Sequence, residues 1–225
     1  MMKRMLLFAL VLILAVPAVE AGRKRKKAGD LDGSVFTDKK YEFSLTVHEN
    51  WKARIRKDKD SYRLVLNQKN YGIPPDYQRV PDYTRVPRLA IFADTSTAGV
   101  YPFLDSLLSD SYKSDQKKSA VKECEILFEP DMVPMGRKRA EIGGSSAVIW
   151  QAKSKYMKEI QETAGSVAGK RVYGALGGAI IVTKKDNVIV LFHVMCEWQF
   201  YESVMSEVMS IVTSLKWPGD SGEES

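Results

Sequence analysis

Two histidines, two cysteines and one lysine beside a glycine-rich run are the residues with which this 225-residue chain could do chemistry. His48-Glu49 has the residue types of an acid/base pair. Adjacent strand residues point to opposite faces, however, and a turn accommodates both polar side chains without any chemistry. His193 lies in VIVLFHVMC, where Leu191 and Met195 share its face, so a buried structural histidine is expected. A metal site needs at least three converging ligands, and neither H-x-x-H nor H-E-x-x-H spacing occurs. Gly165 to Arg171 (GSVAGKR) approaches a P-loop, but three residues instead of four separate its glycines. Arg171 also stands where a Ser or Thr would hold magnesium. Gly174 to Gly178 (GALGG) lacks the order G-x-G-x-x-G, and there is no G-x-S-x-G elbow. The expectation is a protein with no catalytic, cofactor-binding or metal-binding residues, and so not an enzyme.

Cys124 and Cys196 leave two readings open. In an oxidising compartment they can form a disulfide. Each also sits in an apolar, strand-like run (ECEILF and VLFHVMCEW), where a reduced cysteine packs as a small hydrophobe.

The elements that would position these residues begin after an N-terminus of different character. Met1 to Arg4 is a short basic lead, Met5 to Val16 is apolar, and Pro17 precedes a polar stretch ending in Val19-Glu20-Ala21. That is the pattern of a secretory signal, cleaved after Ala21, and the apolar run is short for a membrane span. The expected location is periplasmic or extracellular. The alternative is an uncleaved anchor, because Arg23, Lys24, Arg25, Lys26 and Lys27 follow at once and positive charge tends to stay on the cytoplasmic side. Those five charges also account for most of the formal net charge of +6; residues 28–225 are neutral overall. The domain therefore lacks the basic face of a nucleic-acid binder. The cluster itself is either a solvated tether or a weak contact for anionic lipid.

Hydrophobic content of 44% and charged content of 28% fit one globular domain, here read as residues 35–217. It follows a signal (1–21) and a basic flexible leader (22–34), and a disordered acidic tail (218–225) closes the chain. Tyr41 to Val47 alternates, with Tyr41, Phe43, Leu45 and Val47 on one face, and predicts a half-buried strand. Further strands are expected at 51–55, 62–66, 88–93, 121–128, 146–153, 171–183 and 188–196. A helix is expected near Pro102 to Tyr112, where Phe103, Leu104, Leu107 and Leu108 share a face. A second, Phe200 to Leu215, carries the stripe Phe200, Tyr201, Val204, Met205, Val208, Ile211, Val212 and Leu215. The layout is α+β, an antiparallel sheet sandwiched between helices.

Three stretches carry a resemblance: Tyr41-Glu42-Phe43-Ser44-Leu45 leading through Asn50 to Trp51; Ala140-Glu141-Ile142-Gly143-Gly144-Ser145-Ser146-Ala147; and Val188–Cys196 running into a helix that closes with Ser214-Leu215-Lys216-Trp217. Their order resembles the PsbP-like superfamily, which has exported bacterial members such as DcrB. The resemblance implies an α/β/α sandwich over residues 35–217 and a binding or assembly role without catalytic residues. The Pro-rich insertion at 70–87 departs from the compact hairpin expected there.

That insertion holds one hexapeptide twice, D-Y-x-R-V-P from Asp76 to Pro87, too short for a solenoid. Tyr71, Tyr77 and Tyr83 offer amphipathic rings, Arg79 and Arg85 offer planar donors, and prolines reduce the entropy lost on ordering. The expected function is that of an exported, non-enzymatic binding or assembly protein. It would meet an envelope or membrane-associated protein through this loop; the alternative for the loop is a passive surface insertion. A second reading is a small-ligand or lipid carrier whose sheet–helix cleft is lined by Met195, Met205 and Met209. An unrecognised hydrolase is the third.

Overall fold

The computed structural model describes residues 26–71, 87–109, 132–160 and 170–219. Alternating and β-branched runs make ten strands among them. β1 (Gly29–Asp32), β2 (Val35–Asp38) and β3 (Ser44–Thr46) form a three-stranded antiparallel sheet. The other seven are β4 (Trp51–Ile55), β5 (Tyr62–Gln68), β6 (Arg88–Thr95), β7 (Met132–Ile142), β8 (Ser145–Ile160), β9 (Lys170–Lys185) and β10 (Val188–Glu197). They form one antiparallel sheet in the order β4-β5-β6-β10-β9-β8-β7. The chain thus lays β4 to β6 down as a meander, crosses by helix α1 (Val100–Leu108) to the far edge, and returns strand by strand until β10 closes beside β6.

Because successive strand side chains point to opposite faces, the large sheet supports two apolar clusters. Ile181, Val190, Phe192, Val194 and Cys196 belong to one, with β3 and helix α2 (Tyr201–Thr213). Ile180, Val182, Ile189 and Leu191 belong to the other, with Val100, Phe103, Leu104 and Leu107 of α1. Pro102 sits in the first turn of α1, where backbone N–H groups have no intrahelical partner. Tyr41, Phe43, Leu45 and Val47 are all buried, as the alternation requires. Glu207 pins α2 to the sheet, since Trp51 Nε1 donates to its Oε2 at 2.7 Å.

Several elements differ from the sequence-based expectation. The Gly/Asp stretch assigned to a flexible leader forms the β1–β2 hairpin, turning at Gly33 (φ 54°), so ordered structure begins before residue 35. β7 was not expected: every residue from Val133 to Arg139 is exposed, and an edge strand with no buried face shows no alternation. Phe200 is 41% exposed and precedes α2 in a 3-10 turn (Trp198–Phe200), outside the stripe to which it was assigned. α1 closes at Leu108. The strand expected at 121–128, the loop residues 72–86 and the turn 161–169 lie outside the described residues.

The strand directions give the large sheet two unlike ends. At one, the turn end, tight connections follow β4 (through 56–61), β7 (Gly143-Gly144) and β9 (Asp186-Asn187). At the other, the loop end, β5 departs towards 72–86, β8 departs towards 161–169, β7 begins after 110–131, and β10 gives way to the 3-10 turn.

Candidate functional site

The loop end gathers the chemistry. β10 delivers Glu197, 3% exposed, at its last position. The Tyr71 hydroxyl donates to Glu197 Oε2 at 2.7 Å, and Gln199 Nε2 donates to the same oxygen at 3.0 Å. The carboxylate therefore enters the protein with hydrogen bonds in place, which a buried charge requires. Tyr71 also sets its ring edge-on to Phe200, with centroids 5.8 Å apart. Beside them Trp198 stacks on Tyr201 at 5.1 Å, and the Lys153 amine lies 4.4 Å above the Trp198 ring. Gln151 Nε2 donates to the Tyr201 hydroxyl at 2.8 Å.

Gly177 of GALGG serves this stack. A Cβ on Gly177 would lie 2.5 Å from the Tyr201 ring and 2.9 Å from Trp198. Only a bare backbone lets the two aromatic residues press onto β9. Arg88, opposite Met195 in the β6–β10 ladder, donates from Nη2 to the Met195 sulfur at 3.4 Å.

Burial shifts three titratable groups towards their neutral forms. Burial pushes the Cys196 thiol up to about 12, helped by the neighbouring Glu197 charge, and burial pushes the Tyr201 phenol up to about 12. His193 is fully buried, facing Ala90 and Ile180 in the flanking strands. Neither of its ring nitrogens has a hydrogen-bond partner among the described residues. Burial first, and the Arg88 charge second, hold its pKa well below the ordinary value, so the ring is neutral at neutral pH. His48 is a turn residue whose Nδ1 accepts from the Asn50 N–H at 3.2 Å. No three His, Cys, Asp or Glu side chains gather as a metal would need, among the described residues.

Of the residues expected to form a partner-binding loop, Tyr71 is described and belongs to this cluster. Tyr77, Arg79, Tyr83 and Arg85 lie outside the described residues, as do Arg23, Lys24, Arg25 and Cys124. Lys26 and Lys27 are exposed. Cys196 is a free thiol, packed as a core side chain on the α2 side of the sheet. The three methionines assigned to a carrier cleft do not share one. Met205 and Met209 pack in the α2-side cluster. Met195 follows Val194 and precedes Cys196 of that cluster, so it points to the opposite face. Sequence reasoning missed Lys153, Gly177, Glu197, Trp198 and Phe200. The available signal was Glu197-Trp198-Gln199-Phe200-Tyr201, an acid and three aromatic residues at a strand-to-helix junction.

No protein-family model matches the chain, and no curated protein matches it. Solved structures similar to it include the cyanobacterial PsbP (CyanoP) from Synechocystis sp. PCC 6803, at 8% identity. That match covers 81% of this chain and 91% of that one, with a TM-score of 0.49. Another is LpqN, described as involved in cell envelope biogenesis of Mycobacterium tuberculosis, at 12% identity, 78% and 82% coverage and a TM-score of 0.43. A Bacteroides thetaiotaomicron protein is 13% identical over 80% of this chain and 46% of that one, with a TM-score of 0.35. At TM-scores below 0.5 the architecture rests on the strands and registers described above.

Proposed function

We propose that this is an exported, non-enzymatic binding or assembly protein, built on a PsbP-like sandwich, that meets a protein partner with the loop end of its large sheet. One observation carries the reading. Tyr71, where the chain sets out towards the duplicated hexapeptide, is fixed at its hydroxyl to buried Glu197 and at its ring to exposed Phe200. The root of the Asp76–Pro87 segment is thus joined to a ledge of Tyr71, Trp198 and Phe200 with Lys153 at its rim. Aromatic anchors beside a cation are the composition of binding hot spots. The nearby phenol, thiol and imidazole are neutral near pH 7, which suits contact better than proton transfer.

The test compares in-cell cross-linking and mass spectrometry of three full-length proteins: wild type, one lacking Asp76–Pro87, and Phe200→Ser. Phe200 is 41% exposed and packs edge-on against Tyr71, so its replacement should cost about 1–2 kcal/mol, too little to unfold the domain. The same envelope partner lost in both variants is the expected result. Partner profiles indistinguishable from wild type in both would overturn the reading. Mass spectra of the same samples report whether the chain begins at Gly22, as cleaved export requires.

A further inference from the structure

The turn end carries a feature that the loop-end reading does not use. Arg63, 1% exposed, reaches three separate segments there. Its Nε donates to Asp38 Oδ2 at 2.6 Å and its Nη2 to Asp38 Oδ1 at 3.4 Å, at the last position of β2. Nη2 also donates to the Ala28 carbonyl at 3.1 Å, where the basic leader enters the fold. Nη1 donates to the Asp58 and Asp60 carbonyls at 2.6 and 2.9 Å, in the β4–β5 turn. Backbone bonds lock the same segments together: Ala28 N–H to Arg56 O, Asp58 N–H to Lys26 O and Lys39 N–H to Ala28 O, each 2.9 Å. Each segment bears two exposed lysines: Lys26 and Lys27, Lys39 and Lys40, Lys57 and Lys59. Lys27 and Lys57 face each other as a bridge pair.

We propose that these six lysines, brought together by the buried Arg63, form a platform that docks on an anionic lipid bilayer and points the loop end away from it. The acidic residues around the three segments cancel only part of the platform's charge. Asp38, Asp58 and Asp60 are drawn onto Arg63 and Arg56, Asp30 pairs with Lys39 at 2.8 Å, Asp94 acts on Lys40, and Asp32 and Glu42 are exposed counter-charges, whereas Lys26, Lys27, Lys57 and Lys59 make no ion pair among the described residues. A bilayer is the occupant that fits, for two reasons. All six cations are lysines, flexible point charges suited to mobile head groups, whereas fixed bidentate recognition of phosphate favours arginine. The platform also continues a basic run, Arg23 to Lys27, that follows the apolar stretch Met5 to Val16. Ten residues of β10 separate the two ends of the sheet, roughly 30 Å at the usual strand rise. A docked molecule would therefore hold Tyr71 and Phe200 several Debye lengths above the lipid. This inference does not depend on what the loop end binds.

The test is sedimentation of the full mature chain with vesicles of phosphatidylglycerol and phosphatidylcholine, against pure phosphatidylcholine. Each lysine near an anionic surface contributes about fivefold to partitioning, so Lys40→Gln/Lys57→Gln/Lys59→Gln should weaken binding roughly a hundredfold. A control of equal charge change, Lys52→Gln/Lys69→Gln/Lys138→Gln, should stay within a few-fold of wild type. Equal loss in both variants, no loss in the first, or equal binding to neutral vesicles would overturn the proposal. Acetylation footprinting of the wild-type chain needs no variant to fold. Lys57 and Lys59 should be protected by anionic vesicles and Lys138 should not; the reverse pattern would also overturn it.

Discussion

The turn end and the loop end of the large sheet solve opposite problems with the same strands. At the turn end a single guanidinium saturates its donors on the carboxylates of Asp38 and Asp58 and on three carbonyls, and the segments it joins are short and cross-bonded. At the loop end the fixed points are aromatic: Tyr71 on Glu197 and Phe200, and Trp198 on Tyr201 over a bare glycine. A polar hub closes a structure, because every donor is already satisfied and nothing is left to offer a partner. An aromatic ledge leaves ring faces and edges available, which is how a fold presents a contact surface without losing its own packing.

The difference between the ends can be broken most sharply at the hub. Asp38→Ala leaves Arg63 buried without its carboxylate, and the expected loss is about 3–5 kcal/mol. At roughly 2–4 °C per kcal/mol for a chain of this size, calorimetry should show Tm fall by on the order of 10 °C. Amide exchange should quicken first in residues 28–39 and 56–63. A fall no larger than that of a surface substitution would show that the hub does not hold the turn end together.

Gly177→Ala acts at the other end. Its Cβ would lie 2.5 Å from Tyr201, so the Trp198–Tyr201 stack must shift, at a cost of about 1–3 kcal/mol. Near-ultraviolet circular dichroism should report the altered aromatic environment while exchange at the turn end stays unchanged. An unaltered spectrum would mean the stack does not need the bare backbone.

The smallest effect is a pH slope. His193 has a folded-state pKa depressed below its unfolded value of about 6.5, so the unfolded chain binds more protons as pH falls below that value. Stability should accordingly decline with acidification from about pH 6.5 downward, by up to about 1.4 kcal/mol per pH unit from this one group. Denaturant titrations of wild type and His193→Leu at pH 7 and pH 5 measure it. A slope surviving intact in the variant would assign it to other groups.

Much of the fold was legible in the sequence where a residue's neighbours along the chain decide its environment. The period-two run at Tyr41–Val47 and the 3.6-period stripe of α2 follow from local geometry, and the structure buries those positions apart from Phe200. β10 and the hairpin at Asp186-Asn187 were equally readable. β7 was not, because an edge strand exposed on both faces has no apolar rhythm to detect. Arg63, inside the strand expected at 62–66, carries no local mark of burial. A register shift between Tyr62 and Leu64 and the contacts of three distant segments make it a core residue.

The sequence by itself therefore determined the types of most described elements but not of β1, β2 and β7, together with the α+β class and the charge division between leader and domain, and it singled out Tyr71 as a candidate contact residue. Tertiary structure alone decided that Tyr71 meets Glu197 across 126 positions and that the β9 glycine passes beneath two aromatic rings. It alone placed Lys26 and Lys27 at the end of the sheet opposite the ledge. Local periodicity records which face of an element is apolar. Which elements lie side by side depends on strand order, and that order is set by the packing of the whole chain.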